Sequence, residues 1–145
     1  MNSSVRKRPS KLAAVVFDLL DPIAFGCFVG ALIFDIAYAT NADILWMKAA
    51  AWLIVIGLIV AIVPRFINLA WVWKPIAGAA PSGGKAAFWL HLLGIVAAIV
   101  NAFVHSRDAY AVIPEGLWLS IVTVGLFVIG HVVVTLQSFD HLERV

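Results

Sequence analysis

The sequence predicts an all-α membrane protein, a bundle of four transmembrane helices folded as two helical hairpins. Three observations carry that prediction. Hydrophobic residues make up 63% of the 145-residue chain and charged residues 12%, against about 45–50% and about 25% in soluble domains. Four apolar stretches, each able to supply the roughly 20 helical residues that cross about 30 Å of hydrocarbon, take up most of the chain. Lysine and arginine gather in alternating connections, as the positive-inside rule requires of a multi-pass protein.

Taken in order, the chain opens on a polar segment carrying Arg6, Lys7, Arg8 and Lys11. This basic cluster reads as a topology anchor, not as a nucleic-acid arm, and no small-residue cleavage site marks it as a removable signal. Asp21-Pro22 is a helix start signal, a capping carboxylate followed by a residue that needs no N–H acceptor. It places span one at residues 22–39, with Leu12 to Leu20 as an interfacial lead-in or a kinked extension of the same helix. Span two is predicted at residues 44–73. Pro64 bends it, and Trp71 and Trp73 mark an interface. Residues 74–85 form a Gly/Pro/Ala-rich loop. No strand precedes it and no GK[ST] follows, which excludes a phosphate loop. Spans three and four follow at residues 86–105 and 116–138, and residues 139–145 are a polar tail. Lys74, Lys85 and the basic N-terminus put the N-terminus, the second loop and the C-terminus on the cytoplasmic side of the membrane. Cys27 is the single cysteine, so neither an intrachain disulfide nor a cysteine-based zinc site can form.

Ionisable and polar groups inside the spans are the candidate functional residues, because an unpaired polar group in hydrocarbon costs several kcal/mol. Helical arithmetic of about 100° per residue puts Gly94, Ala98, Asn101 and His105 on the His91 face of span three. Ser120, Thr123, Phe127, Thr135 and Ser138 fall with His131 on span four. Each helix thus carries one polar stripe that is expected to turn inward. In an antiparallel hairpin with Ser106 level with Gly116, His91 and His131 reach the same depth. On span one Asp21, Phe28 and Asp35 share a face, and Gly26 and Gly30 form a GxxxG on the other side, a surface for a neighbouring helix or a second copy of the chain. Asp35 is expected to pair with Arg107, and Arg65 with Asp21 or with the carboxylate of a cofactor.

Two functional chemistries fit the histidines. Two imidazoles at one depth can be the axial ligands of haem b, with Arg65 for the propionates, or can hydrogen-bond within the bundle. A zinc or copper site lacks a third ligand apart from Asp21, so no metal site is expected.

Three stretches resemble the DUF2231 family of small bacterial membrane proteins: DPIAFGCFVGALIFDIAYA, WMKAAAWLIVIGLIVAIVPRFINLAW and HLLGIVAAIVNAFVHSRDAY. The resemblance covers most of residues 20–125. It implies a four-helix inner-membrane protein, with Asp35, His91 and Arg107 at the family's characteristic polar positions, and supplies no reaction. The family opens with His-Pro where this chain has Asp21-Pro22, and its glycine-rich end is not matched by IGHVVVTLQSFDH, so His131 is not among those positions. The expected function is that of an accessory or assembly-type membrane subunit without catalysis of its own. The alternatives are a b-type haem electron carrier on His91 and His131, and conduction of protons or small solutes along the Asp35–His105–Asn101 stripe by an oligomer. The lipid bilayer is the expected partner, with self-association or a larger membrane complex as further possibilities and no nucleic acid.

Overall fold

A computed structural model describes residues 10–73, 84–107 and 111–142, with side chains to residue 140. Outside these lie the basic segment before Ser10, residues 74–83 of the Gly/Pro-rich loop, residues 108–110 of the last turn and the end of the polar tail. The described residues form four helices and no strand: α1 (Lys11–Asn41), α2 (Ile44–Trp73), α3 (Gly84–His105) and α4 (Glu115–Leu142). The shortest, α3 with 22 residues, spans about 33 Å at 1.5 Å per residue, enough to cross a bilayer.

The bundle is the reverse of a soluble one. Small residues line its interior, with Ala24, Ala31, Ala50, Ala61, Ala87 and Ala98 all buried, while Trp52 is 70% exposed and Phe103 69%. Around every helix the outer surface is Leu, Ile, Val, Phe and Trp, a continuous apolar belt that in water would be an aggregation surface. In lipid there is no hydrophobic drive between helices, so alanines and glycines that let backbones approach supply the packing. The protein is a multi-pass membrane protein.

Of the two readings of residues 12–20, helix α1 takes the second: they extend the helix of span one, and Asp21-Pro22 does not start it. Ser10 caps it, and it runs unbroken through Asp21 and Pro22. Pro22 removes one intrahelical bond, leaving the Asp18 carbonyl without its i+4 donor. Asp21, 7% exposed, is therefore no cap but an inward-facing carboxylate. Locally an Asp-Pro pair at a helix start and one inside a membrane helix look alike.

At the other end α1 turns sharply into α2. Ala42 takes a left-handed conformation (φ 55°) and donates its N–H to the Tyr38 carbonyl at 2.8 Å. The Asp43 carboxylate then accepts the Leu45 N–H at 2.9 Å, capping α2. A left-handed alanine costs roughly 1 kcal/mol that glycine does not. Ala42→Gly is thus expected to stabilise the hairpin by up to about 1 kcal/mol, read as a raised Tm in detergent; an unchanged or lowered Tm would count against the turn geometry.

The two hairpins, α1–α2 and α3–α4, are each tightly packed and meet more loosely along α2–α3 and α1–α4. Gly30 receives Leu53 of α2, whose Cδ1 would lie 2.8 Å from an added Cβ, whereas Gly26 faces open space. Half of the GxxxG is therefore consumed inside the hairpin. Across the core Gly94 receives Phe127, and Gly57 receives Phe28.

Candidate functional site

Two buried polar clusters stand about 21 Å apart along the bundle, the rise of the 14 residues from Asp21 to Asp35. The first joins all four helices. Asp21 of α1 is ion-paired with Arg65 of α2 through Oδ1. Its Oδ2 lies 3.1 Å from Nε2 of His131 on α4. His131 Nδ1 in turn lies 2.7 Å from the Phe127 carbonyl and 3.3 Å from Nε2 of His91 on α3. The guanidinium also sits over the Phe17 ring. Both Arg65 and Asp21 are almost wholly buried, while the His131 side chain is 40% exposed at the edge of the cluster.

The second cluster repeats the pattern with another histidine. Asp35, 0% exposed, lies 2.8 Å through Oδ1 from Nε2 of His105 on α3. His105 Nδ1 is 3.1 Å from the Asn101 carbonyl one turn back. Ser120 of α4 donates to Asp35 Oδ2 and accepts from the Asn101 amide at 2.7 Å.

In both clusters the imidazole is anchored to the carbonyl four residues earlier and aims Nε2 at an α1 carboxylate. The geometry fixes a proton count. A carbonyl only accepts, so Nδ1 carries a hydrogen in each case. A neutral imidazole then has no hydrogen on Nε2, and a lone pair facing an ionised carboxylate would repel. One further proton must sit between Nε2 and the carboxylate, on His131 or Asp21 in one cluster and on His105 or Asp35 in the other. The clusters differ in their company. Asp21 has a fixed cation beside it, whereas every hydrogen-bond partner of Asp35 is histidine or hydroxyl.

Between the clusters lies an apolar plug. Phe28 and Phe127, 2% and 0% exposed, have ring centroids 5.1 Å apart and pack with Ala98, Phe25, Leu58, Ile95 and Val124. On the Asp35 side of this plug, Asn101 Oδ1 and the Thr123 hydroxyl are buried without a hydrogen-bond partner, as are Arg65 Nε and Nη1 and Asn68 Oδ1 towards the other end.

The expected residues fall into place unevenly. His91 and His131 meet at one depth, and Arg65 pairs with Asp21. The pairing of Asp35 with Arg107 is not formed: Arg107 lies beyond the end of α3 with its side chain exposed, and His105, one half-turn earlier, takes the carboxylate. The α4 stripe turns inward only as far as His131, since Thr135 and Ser138 bond to their own helix at His131 O and Val134 O, both at 2.9 Å. Haem does not fit the histidine pair as packed. Two axial nitrogens must stand about 4 Å apart across a metal with bonds near 2 Å, with a flat ring between them. Here the nitrogens are 3.3 Å apart and the imidazoles meet edge to face at 89°. Ser120 is the residue whose role spacing alone misses. It lies on the inward α4 stripe, but only the crossing of α1 over α4 shows it reaching Asp35.

No family model, no curated protein and no solved structure matches the chain.

Proposed function

We propose that the chain is a small accessory-type subunit of the bacterial inner membrane, N-terminus inward, that converts no substrate and instead binds and passes protons at its two carboxylate–imidazole pairs. The observation that carries this reading is the repeated pair itself: in each, an α1 aspartate meets Nε2 of a histidine whose Nδ1 is anchored to a backbone carbonyl. Chains of Asp and His inside a membrane serve as proton relays. The Asp35 pair is the exchanging one. Its partners are an imidazole and a hydroxyl, both able to pass a proton on, and no fixed cation stands beside it. The Asp21 pair, held by Arg65, faces the His131 edge, where the imidazole is partly open. The resemblance to DUF2231 proteins supports the choice of membrane, and it supplies no reaction. Axial ligation of haem b by His91 and His131 requires their contact to open and gains no support from the packing.

The test is proton movement. Liposomes carrying the protein are expected to dissipate an imposed pH gradient faster than protein-free ones, followed by a trapped pH dye. Asp35→Asn, which keeps the shape and the Ser120 contact but cannot share the proton with His105, is expected to return the rate to that of protein-free vesicles. An equal rate for wild type and Asp35→Asn, with both inserted and folded, sinks the reading.

A further inference from the structure

The loose seam between the hairpins has one side that no group of the described residues fills. On α2, Ile62, Phe66, Leu69 and Trp73 recur at helical spacing and lie within about 60° of one face. On α3, Lys85, Phe88, Leu92 and Ile95 do the same within about 80°. The walls made by Ile62, Phe66, Leu69, Phe88, Leu92 and Ile95, with Arg65 between the α2 residues, enclose a groove of about 260 Å³. From Leu69 to Ile62 the groove runs about 10 Å, and one turn further to Trp73 the same helix face extends about 16 Å, close to the ~15 Å of hydrocarbon in one leaflet. At its mouth the exposed Lys85 ammonium lies 5.0 Å from the Trp73 ring centroid. A cation and a tryptophan thus stand together at the helix ends, one turn beyond an apolar slot.

We propose that the α2–α3 seam is a binding site for one anionic phospholipid from the leaflet at this end, with an acyl chain in the groove and the phosphate at Lys85. The surrounding solvent dictates the occupant. A slot walled by Phe, Leu and Ile, whose one charged lining residue, Arg65, is already paired with Asp21, takes a lipid chain, and the lysine at its rim selects among headgroups. Trp73 holds the lysine over its face and keeps it at the mouth. The bound chain fills one of the two looser interfaces of the bundle and joins the two hairpins. This site does not depend on the proton reading, and its test leaves that reading untouched.

Native mass spectrometry of the detergent-purified chain, with equal phosphatidylglycerol and phosphatidylcholine of identical chains, separates the outcomes. The wild type is expected to retain phosphatidylglycerol about fivefold over phosphatidylcholine, the ~1 kcal/mol that one lysine contributes near an anionic headgroup. Lys85→Gln is expected to bring that ratio close to one without lowering total lipid retained. Leu92→Trp and, from the facing wall, Ile62→Trp fill the slot and are expected to reduce retention of both lipids at least threefold. Ile129→Trp, on the exposed face of α4, is expected to change neither. Equal retention of the two lipids by the wild type, an unchanged preference in Lys85→Gln, or loss in the groove variants no greater than in Ile129→Trp would each overturn the site. Helical content by circular dichroism identifies a misfolded variant, and the two groove variants are independent of one another.

Discussion

Arg65→Met is expected to destabilise the bundle by about 3 kcal/mol, the lower end of the cost of removing one partner from a buried ion pair. Asp21 would be left in hydrocarbon with only His131, whose side chain is 40% exposed and can compensate part of the charge. The loss falls on all four helices at once, because Asp21, Arg65, His91 and His131 come one from each. The double variant Asp21→Leu/Arg65→Met is expected to recover most of the stability. Replacing both charges by apolar side chains of similar volume removes the desolvation penalty together with the attraction. Unfolding of the four forms in detergent, taken as a double-mutant cycle, gives the coupling directly. Additive losses would mean that the two side chains do not pair in the membrane. A recovered double variant that no longer moves protons would separate what the cluster does for the fold from what it does for transfer.

Much of this arrangement is legible in the residues, and the limit has a physical cause. A hairpin with a short turn fixes depth: once Ser106 and Gly116 are level, His91 must meet His131, because both helices rise by the same 1.5 Å per residue. The same holds for Arg65 and Asp21, which share a depth in the first hairpin. Depth does not fix direction near a helix end. Arg107 and His105 both lie near the level of Asp35, but side chains on a helix lean towards its N-terminus, so His105 points back into the core while Arg107 lies past the last turn. Nor does sequence show which helix crosses which. Asp35 of α1 reaches His105 of α3 on the diagonal and Ser120 of α4 beside it, a meeting set by how the hairpins pack, which no stripe on one helix encodes. The glycines were ambiguous for the same reason. The GxxxG of Gly26 and Gly30 suits a neighbouring helix as well as a second copy of the chain, and only the packing of Leu53 against Gly30 shows which side of α1 the partner helix occupies.

Truncating the plug is expected to have the largest functional effect. Phe127→Ala removes a ring with 0% exposure that contacts Phe28, Phe25 and His91, with centroids 5.1, 6.2 and 5.2 Å away. In a soluble core such a truncation costs about 3–5 kcal/mol through lost contacts and the cavity left behind. Here the cavity opens between the two shared protons. Thr123 lies one turn of α4 towards the Asp35 pair, with a buried hydroxyl that has no partner, and His91 borders the other side. Polar groups on both rims let a space of this size admit water, which apolar walls alone would keep dry. Phe127→Ala is therefore expected to relax an imposed pH gradient at least about tenfold faster than wild type, a barrier lowered by ~1.4 kcal/mol. Phe127→Leu, which keeps the plug apolar and mostly filled, is expected to stay near the wild-type rate. Combining Phe127→Ala with Asp35→Asn distinguishes a relay from a leak. If protons pass by way of the Asp35–His105 pair, the asparagine abolishes the gain. If the double variant is as leaky as Phe127→Ala alone, the opened space conducts without the pair, and the carboxylate–imidazole contacts serve only to hold the helices together.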